Sequence, residues 1–215
     1  DHLFANGKVP CCVDFRGADP VPENDSHGQY IHLLAQLYRY TGNDALLARH
    51  WERLDAARRY MDGLRLSERT PANRTPDRQM LFGLLPPSIS HEAYSAKPQY
   101  SLWDDFWGLL GYKDAVFIAQ TLGDAEAAAR YAAARDQFAA DIRASIVATA
   151  AHHDIDWIAG AADRGDFDAT STTIALSPAG QKDDLPPELL ARTFDLYWEN
   201  FQSRLNNRTA WKDYT

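Results

Sequence analysis

The segment from Gly83 to Trp107, GLLPPSISHEAYSAKPQYSLWDDFW, is the part of the sequence richest in side chains that could do chemistry. Hydrolysis of a glycosidic bond needs such a set. One protonated carboxyl group gives its proton to the leaving oxygen, and a second group, a carboxylate, either activates water or attacks the sugar itself. Aromatic faces hold the sugar in place. The candidate catalytic residues are Asp104, Asp105 and Glu92, and the candidate binding residues in this segment are His91, Tyr94, Lys97, Tyr100, Trp103 and Trp107.

Two other polar segments carry similar groups. The segment ENDSHGQ and the region after residue 150 add the candidate binding residues Asp25, His27, Gln29, Trp157 and Asp168. A simpler interpretation stays open, because an acid at a helix start is favoured as a cap or by the helix dipole, by about 1 kcal/mol. On that interpretation Asp25, Asp104 and Asp168 only stabilise the starts of helices.

The three candidate acids of the first segment differ in their predicted surroundings. Asp104 and Asp105 are neighbours on a predicted helix, so their side chains project about 100° apart. We therefore expect at most one of them to face a site, and the other to bond to backbone or solvent. Glu92 is a rival acid, and its simpler interpretation is a solvated loop glutamate.

The spacing of apolar residues predicts pairs of helices that place these side chains. In each pair the first helix is apolar on most sides and the second on one side only, which indicates an inner and an outer helix. Gly42 and Gly123 end the first helices of two pairs, and Asn43 or Asp44, and Asp124, cap the helices that follow. Proline in the first turn suits the last helix, near residue 187.

These pairs predict one all-α domain over residues 1-215, with three antiparallel hairpins at 24-66, 102-149 and 168-206. Long loops at 67-101 and 150-167 join one outer helix to the next inner helix. They all open where the inner helices begin, and long ordered loops emerging at one end usually build a site. The candidate acids and rings are therefore expected to converge on one rim.

Composition and charge limit the kinds of partner that this protein is expected to bind. The chain has 215 residues, 45% of them hydrophobic, and a formal net charge of -8 without a basic stripe, which argues against a nucleic-acid partner. No stretch approaches the roughly 20 apolar residues of a membrane span, and the N-terminus lacks the pattern of a secretory signal. We expect a soluble protein, of undetermined compartment, that binds a neutral or weakly cationic ligand. It begins without Met and stops within a connecting segment, so we expect a part of a longer protein.

The remaining reactive residues do not predict a cofactor. Cys11 and Cys12 are adjacent, and because a disulfide between neighbours is strained, we expect free thiols. The run from His152 to Asp156 lacks the ligand spacing of zinc sites, so we expect a helix end there and no metal.

Three segments resemble the catalytic domains of six-hairpin glycosidases. They are PENDSHGQYIHLLAQLYRYTGN, GLLPPSISHEAYSAKPQYSLWDDFWGLLGYKDA and GDFDATSTTIAL, and the resemblance covers most of the chain. Glucoamylase-like, rhamnosidase-like and disaccharide-phosphorylase-like members share this succession of helical hairpins. The resemblance implies an incomplete (α/α)6 toroid, because six hairpins close the ring and this sequence supplies about three. It also implies acid/base catalysis on a neutral oligosaccharide, with Asp104 or Asp105 as the acid or a sugar-binding residue.

Three other functions stay open at this point. A polysaccharide lyase could use Tyr94, His91 and Lys97, although net acidity disfavours a polyanionic substrate. A non-catalytic helical module could bind a partner or form a homodimer through unpaired inner helices. An isoprenoid cyclase-like toroid would need the metal-binding pattern DDxxD. Asp104 and Asp105 supply its first two acids, but Gly108 stands where the last one would be.

Overall fold

A computed structural model describes residues 2–90, 94, 96–206 and 208. The described chain is mostly helical, with 64% helix, and this confirms the predicted all-α class. Within these ranges its six helices are α1 (Asp25–Thr41), α2 (Asp44–Glu68), α3 (Leu102–Thr121), α4 (Ala125–His153), α5 (Ala169–Leu176) and α6 (Pro187–Leu205). A two-stranded antiparallel sheet, β1 (Val13–Asp14) with β2 (Gly17–Ala18), precedes them; it is too short for sequence periodicity to reveal.

Two tight turns make antiparallel pairs of the first four helices. Gly42 takes the left-handed conformation, with φ at 60°, and its N–H donates to the Tyr38 carbonyl over 2.7 Å. The Asn43 side chain then accepts from the backbone of Leu46 and caps α2. Gly123, with φ at 76°, makes the equivalent break between α3 and α4, where the Asp124 side chain caps the next helix. The sequence predicts these breaks and caps correctly.

The inner helices α1 and α3 run side by side in the same direction. At their starts the Trp103 indole Nε1 donates to the Asp25 carboxylate over 2.8 Å. Towards their ends Arg39 bonds to Asp114, and the rings of Tyr38 and Phe117 lie 5.9 Å apart. Both helix starts therefore lie at the same end of the molecule.

Glycine permits this close packing. A Cβ built on Gly28 of α1 would overlap the backbone carbonyl of Trp107 and lie 2.9 Å from the nitrogen of Gly108. From the other side, a Cβ on Gly111 of α3 would lie 2.7 Å from the Gly28 Cα. The two backbones thus touch where any larger residue would separate them.

The third inner helix, α5, lies on the opposite side of α3 and runs in the same direction. Near its start, the carbonyl of Gly160 accepts from the backbone of Leu102 over 2.9 Å. Beyond its end, the carbonyl of Ala179 accepts from Lys113 Nζ over 2.8 Å. A bridge between Ser101 and Ala161 holds the loop 150-167 against the start of α3.

The outer helices α2 and α4 also pack together, through polar contacts. The Tyr131 hydroxyl donates to Asp55 over 2.6 Å, Arg65 donates to Gln137 over 2.8 Å, and Arg69 pairs with Asp141. Between the helix pairs, the loop 67-101 contributes Met80, Leu81, Leu84 and Leu85 to the hydrophobic core. The described part of this loop therefore belongs to the packed structure.

Apolar faces remain exposed at the two ends of this row of helices. On α1, Leu33, Leu37 and Tyr40 are 55%, 39% and 88% exposed and share one face at helical spacing. On α6 the exposed large residues are Tyr197, Trp198, Phe201 and Leu205. A homodimer through such faces stays a prediction. Among the described residues, no helix has both the length and the apolarity needed to cross a membrane.

We expect Gly28→Ala to destabilise the protein by about 3 kcal/mol, because the new Cβ would meet backbone atoms that cannot move aside. Gly63→Ala is the matched control. Gly63 lies within α2 with no atom within 4 Å of a built Cβ, so alanine there should stabilise by about 0.5–1 kcal/mol. Urea unfolding of both variants measures the difference, and equal stability of the two would contradict this account of the α1 and α3 contact.

Candidate functional site

The parallel starts of α1 and α3 bring two carboxyl groups into one buried cluster. Asp25 Oδ2 accepts from Trp103 Nε1 and from Gln29 Nε2, each over 2.8 Å. Asp104 Oδ2 accepts from the Ser88 hydroxyl, which belongs to the loop before α3. We call these residues, namely Asp25, Gln29, Ser88, Trp103 and Asp104, the paired-acid cluster.

Each acid of the pair keeps one oxygen without a hydrogen-bond partner among the described residues. These atoms are Oδ1 of Asp25 and Oδ1 of Asp104, and both are buried. The residues themselves are 7% and 1% exposed. A buried charged oxygen without a partner costs free energy, so such an atom favours either a bound proton or a ligand.

The surroundings of the two acids favour the protonated state. Burial, followed by the nearby charge of Asp25, raises the pKa of Asp104 well above its usual value, while hydrogen bonds from Ser88 and Ser90 oppose the rise. Burial also raises the pKa of Asp25, which the Trp103 hydrogen bond lowers in part. A neutral carboxyl beside a carboxylate is the arrangement that acid/base chemistry uses.

The two neighbouring aspartates of α3 point in different directions, as their spacing predicts. Asp105 is also buried, but its Oδ1 accepts from the Leu85 backbone over 2.9 Å. Burial raises the pKa of Asp105 well above its usual value, and the charge of Asp141 on α4 adds to the rise. Asp104, rather than Asp105, therefore belongs to the side that faces α1.

Asp168 has the simpler role that the sequence left open. Its Oδ1 accepts from the backbone of Thr170 and Ser171 at the start of α5, over 3.0 and 3.3 Å, and its Oδ2 accepts from the Ser171 hydroxyl. It is the N-cap of α5. Asp25 and Asp104 are not caps but first-turn acids, after the cap positions Asn24 and Ser101, where the helix dipole also favours a negative charge.

Two tryptophans of α3 extend the cluster along the groove between α1 and α3. The rings of Trp103 and Trp107 lie 6.3 Å apart, edge to face, and both side chains are partly exposed. Trp107 Nε1 is buried without a hydrogen-bond partner among the described residues. A partly exposed indole face is well suited to a ligand that has an apolar surface.

Beyond Trp107 the groove is lined by charged groups that the sequence analysis missed. His32 Nδ1 and Arg39 each lie 2.6 Å from an oxygen of Asp114, and the His32 ring lies 6.1 Å from that of Trp107. Helical spacing could have found them, since His32 and Arg39 follow Asp25 by seven and fourteen residues and therefore share its face. Ser88 had no such signal, because it lies on an irregular loop.

Two predicted binding residues lie away from the cluster. His27 is fully buried, stacks on Tyr60 of α2 with ring centroids 4.9 Å apart, and has its pKa lowered to about 4 by burial. The Tyr100 hydroxyl donates to Glu68 over 3.0 Å, and burial together with Glu68 raises its pKa to about 12. Both belong to packing against the outer helix α2.

The remaining predicted residues lie on the rim loops. The Tyr94 hydroxyl donates to Asp166 over 3.0 Å, and burial, followed by the charges of Asp166 and Asp168, raises its pKa. Trp157 packs edge to face on Phe167, and Lys97 is exposed beside an open cleft of about 290 Å³. His91 and Glu92 lie outside the described residues.

Neither a metal site nor a relative accounts for these groups. In the part of the chain that the structure describes, no three His, Cys, Asp or Glu side chains are grouped so that they could hold a metal ion. Comparison with known protein families finds no match, and comparisons with curated proteins and with solved structures find none either. The function of the site therefore has to be argued from its geometry.

We expect Asp104→Asn to leave the protein at least as stable as wild type at pH 7. Asparagine keeps an acceptor for Ser88 and removes a carboxyl group whose ionisation is unfavourable in this buried position. Because the folded-state pKa of Asp104 is raised, the native state binds more protons than the unfolded state just above pH 4, and wild-type stability falls as pH rises through the folded pKa. The advantage of the variant should therefore shrink towards pH 4 in denaturant titrations, and an advantage that grows there would contradict the assignment.

Proposed function

We propose that this chain is a carbohydrate-active module that resembles a glycoside hydrolase and acts on a neutral oligosaccharide by acid/base catalysis. Asp104 is the proton donor in this proposal, and Asp25 is the carboxylate beside it. The observation that carries the proposal is the pair of buried carboxyl groups, each with an unpartnered oxygen, next to Trp103 and Trp107.

The division of roles follows from the surroundings of each acid. Asp104 is the more buried acid, and the charge of Asp25 helps to keep its proton in place. Donors from Trp103 and Gln29 bond to the Asp25 carboxyl group, and the Trp103 hydrogen bond opposes the rise of its pKa. A buried acid with a raised pKa is suited to delivering its proton to a leaving glycosidic oxygen. The carboxylate that activates the attacking water is then Asp25 or one outside the three hairpins.

A sugar would reach these acids by replacing an internal hydrogen bond. Trp103 is partly exposed and its indole N–H occupies Asp25. A sugar hydroxyl can take the place of that N–H as a donor to Asp25, while the released ring covers an apolar sugar face. Trp107, which is also partly exposed, offers a second ring for a sugar face.

The arrangement of helices supports the toroid as part of this proposal. The inner helices α1, α3 and α5 lie side by side and begin at one end, and the outer helices α2 and α4 pack behind them. Apolar faces are exposed at both ends of the row, on α1 and on α6. Three hairpins with two such edges are what an incomplete (α/α)6 ring would have.

The lyase alternative is less well supported by the geometry. The base in that alternative would be Tyr94, whose hydroxyl donates a hydrogen bond to Asp166. The raised pKa of Tyr94 leaves little phenolate to act as a base. The net charge of -8 also opposes a polyanionic substrate. A non-catalytic module that self-associates is favoured instead by the exposed faces of α1 and α6, and dimers that dissociate on dilution in sedimentation experiments would support it.

We expect neutral oligosaccharides to bind to this site. In calorimetric titration against a panel of gluco-, manno-, galacto- and rhamno-configured di- and trisaccharides, Asp25→Asn should weaken the binding of the best ligand by about tenfold or more, because hydrogen bonds to a charged group are worth about 1.5–3 kcal/mol. Asp136→Asn is the matched control. Asp136 is an exposed acid of α4, 67% exposed, and its change should leave affinity unaltered.

Release of reducing sugar tests turnover separately. If the chain hydrolyses its ligand, Asp104→Asn should lower kcat by on the order of 100-fold or more while the protein stays folded. Failure of every sugar in the panel to bind at millimolar concentration would overturn the carbohydrate proposal. Sugar binding with unchanged turnover in Asp104→Asn would overturn the role of Asp104 alone.

A further inference from the structure

The adjacent cysteines place two sulfur atoms close together at the surface. The Sγ atoms of Cys11 and Cys12 are 3.4 Å apart, and both cysteines are free thiols. Cys12 is exposed and Cys11 is partly exposed, immediately before β1. The Cys12 carbonyl accepts from Asp19 over 3.0 Å, so this stretch is held in a defined turn.

We propose that Cys11 and Cys12 form a reversible dithiol/disulfide site, which closes by exchange with a small disulfide such as oxidised glutathione. In the first step the Cys12 thiolate attacks one glutathione sulfur, and the glutathione S–S bond breaks to release one glutathione thiolate. In the second step the Cys11 thiolate attacks the Cys12 sulfur and expels the second glutathione. The two cysteine thiols are oxidised, one glutathione disulfide is reduced to two thiols, and the cysteine protons pass to these through solvent.

The surroundings of the two thiols set this order. Cys12 is the more exposed and meets the small disulfide first. Burial, followed by a hydrogen bond to Glu23 and then by the Cys12 sulfur, raises the pKa of Cys11, so little of it is thiolate at neutral pH. Its closeness compensates in the second step, because an attacking atom already in contact with its target reacts at a high effective concentration.

The same geometry makes the bond easy to open. Neighbouring Cα atoms are about 3.8 Å apart across a trans peptide, which is shorter than the roughly 4.4–6.8 Å of ordinary disulfides. Such a bridge is strained, and strained or exposed disulfides are the readily reduced ones. The bond is therefore suited to reversible modification, in agreement with the free thiols of the reduced state.

The charge of Glu23 is among the causes that raise the pKa of Cys11 and also that of Asp25, two residues further on. Glu23 is therefore common to the electrostatic surroundings of both groups.

Incubation of the folded chain with oxidised glutathione tests the proposal. We expect the titratable thiols to fall from two to none, the intact mass to fall by two hydrogens with no glutathione attached, and dithiothreitol to restore both thiols. The matched controls, Cys11→Ser and Cys12→Ser, should instead stop at a stable glutathione adduct. Wild-type protein that ends as a glutathione adduct, as a dimer linked between chains, or with two unreacted thiols overturns the proposal.

Glu23→Gln provides a second readout that does not depend on the endpoint. Because the charge of Glu23 is one of the causes that raise the pKa of Cys11, its removal increases the thiolate fraction. The second step, measured as the loss of the glutathione adduct on Cys12, should become several-fold faster at pH 7, as followed by mass spectrometry of quenched samples. A rate that is unchanged or slower would contradict the role of Cys11 as the second attacking thiol. Sugar binding enters neither measurement, so the outcomes are separable from those of the proposed function.

Discussion

The contact between the backbones of α1 and α3 at Gly28 and Gly111 is the constraint on which the rest of the structure depends. With no side chain between them, the two helices lie close enough for the Trp103 indole to reach Asp25 and for the charges of Asp25 and Asp104 to influence each other. The same register brings Asp114 to His32 and Arg39 further along the groove. A wider separation would leave each acid as an ordinary residue of a helix start.

That constraint carries an electrostatic cost. The first turns of α1 and α3 contain three buried acids, Asp25, Asp104 and Asp105, and burial raises the pKa of each. Each acid has a hydrogen-bond donor on one carboxyl oxygen, and the other oxygen, Oδ1 of Asp25, Oδ1 of Asp104 and Oδ2 of Asp105, is buried without a partner among the described residues. Structures retain unfavourable buried acids mainly where a function needs them, because neutral replacements would be more stable. This reasoning, rather than the presence of acids as such, separates the paired-acid cluster from the cap at Asp168.

The outer layer and the loops serve this arrangement. Polar contacts between α2 and α4 hold the outer helices behind the inner ones, and the loop 67-101 carries Ser88 to Asp104 while its leucines enter the core.

The sequence by itself determined the helix pairs, the breaks at Gly42 and Gly123, and the divergence of Asp104 from Asp105, because these depend on local periodicity, on glycine conformation and on the pitch of one helix. It also indicated that the inner helices begin at a common end. It did not decide which polar residues meet. His27 and Tyr100 pack towards α2, and Asp168 is a cap. Ser88, His32 and Asp114, in contrast, contribute to the groove. Each of these outcomes depends on the rotation and the closeness of neighbouring helices. Only the tertiary structure fixes those two quantities, through contacts between residues far apart in the chain.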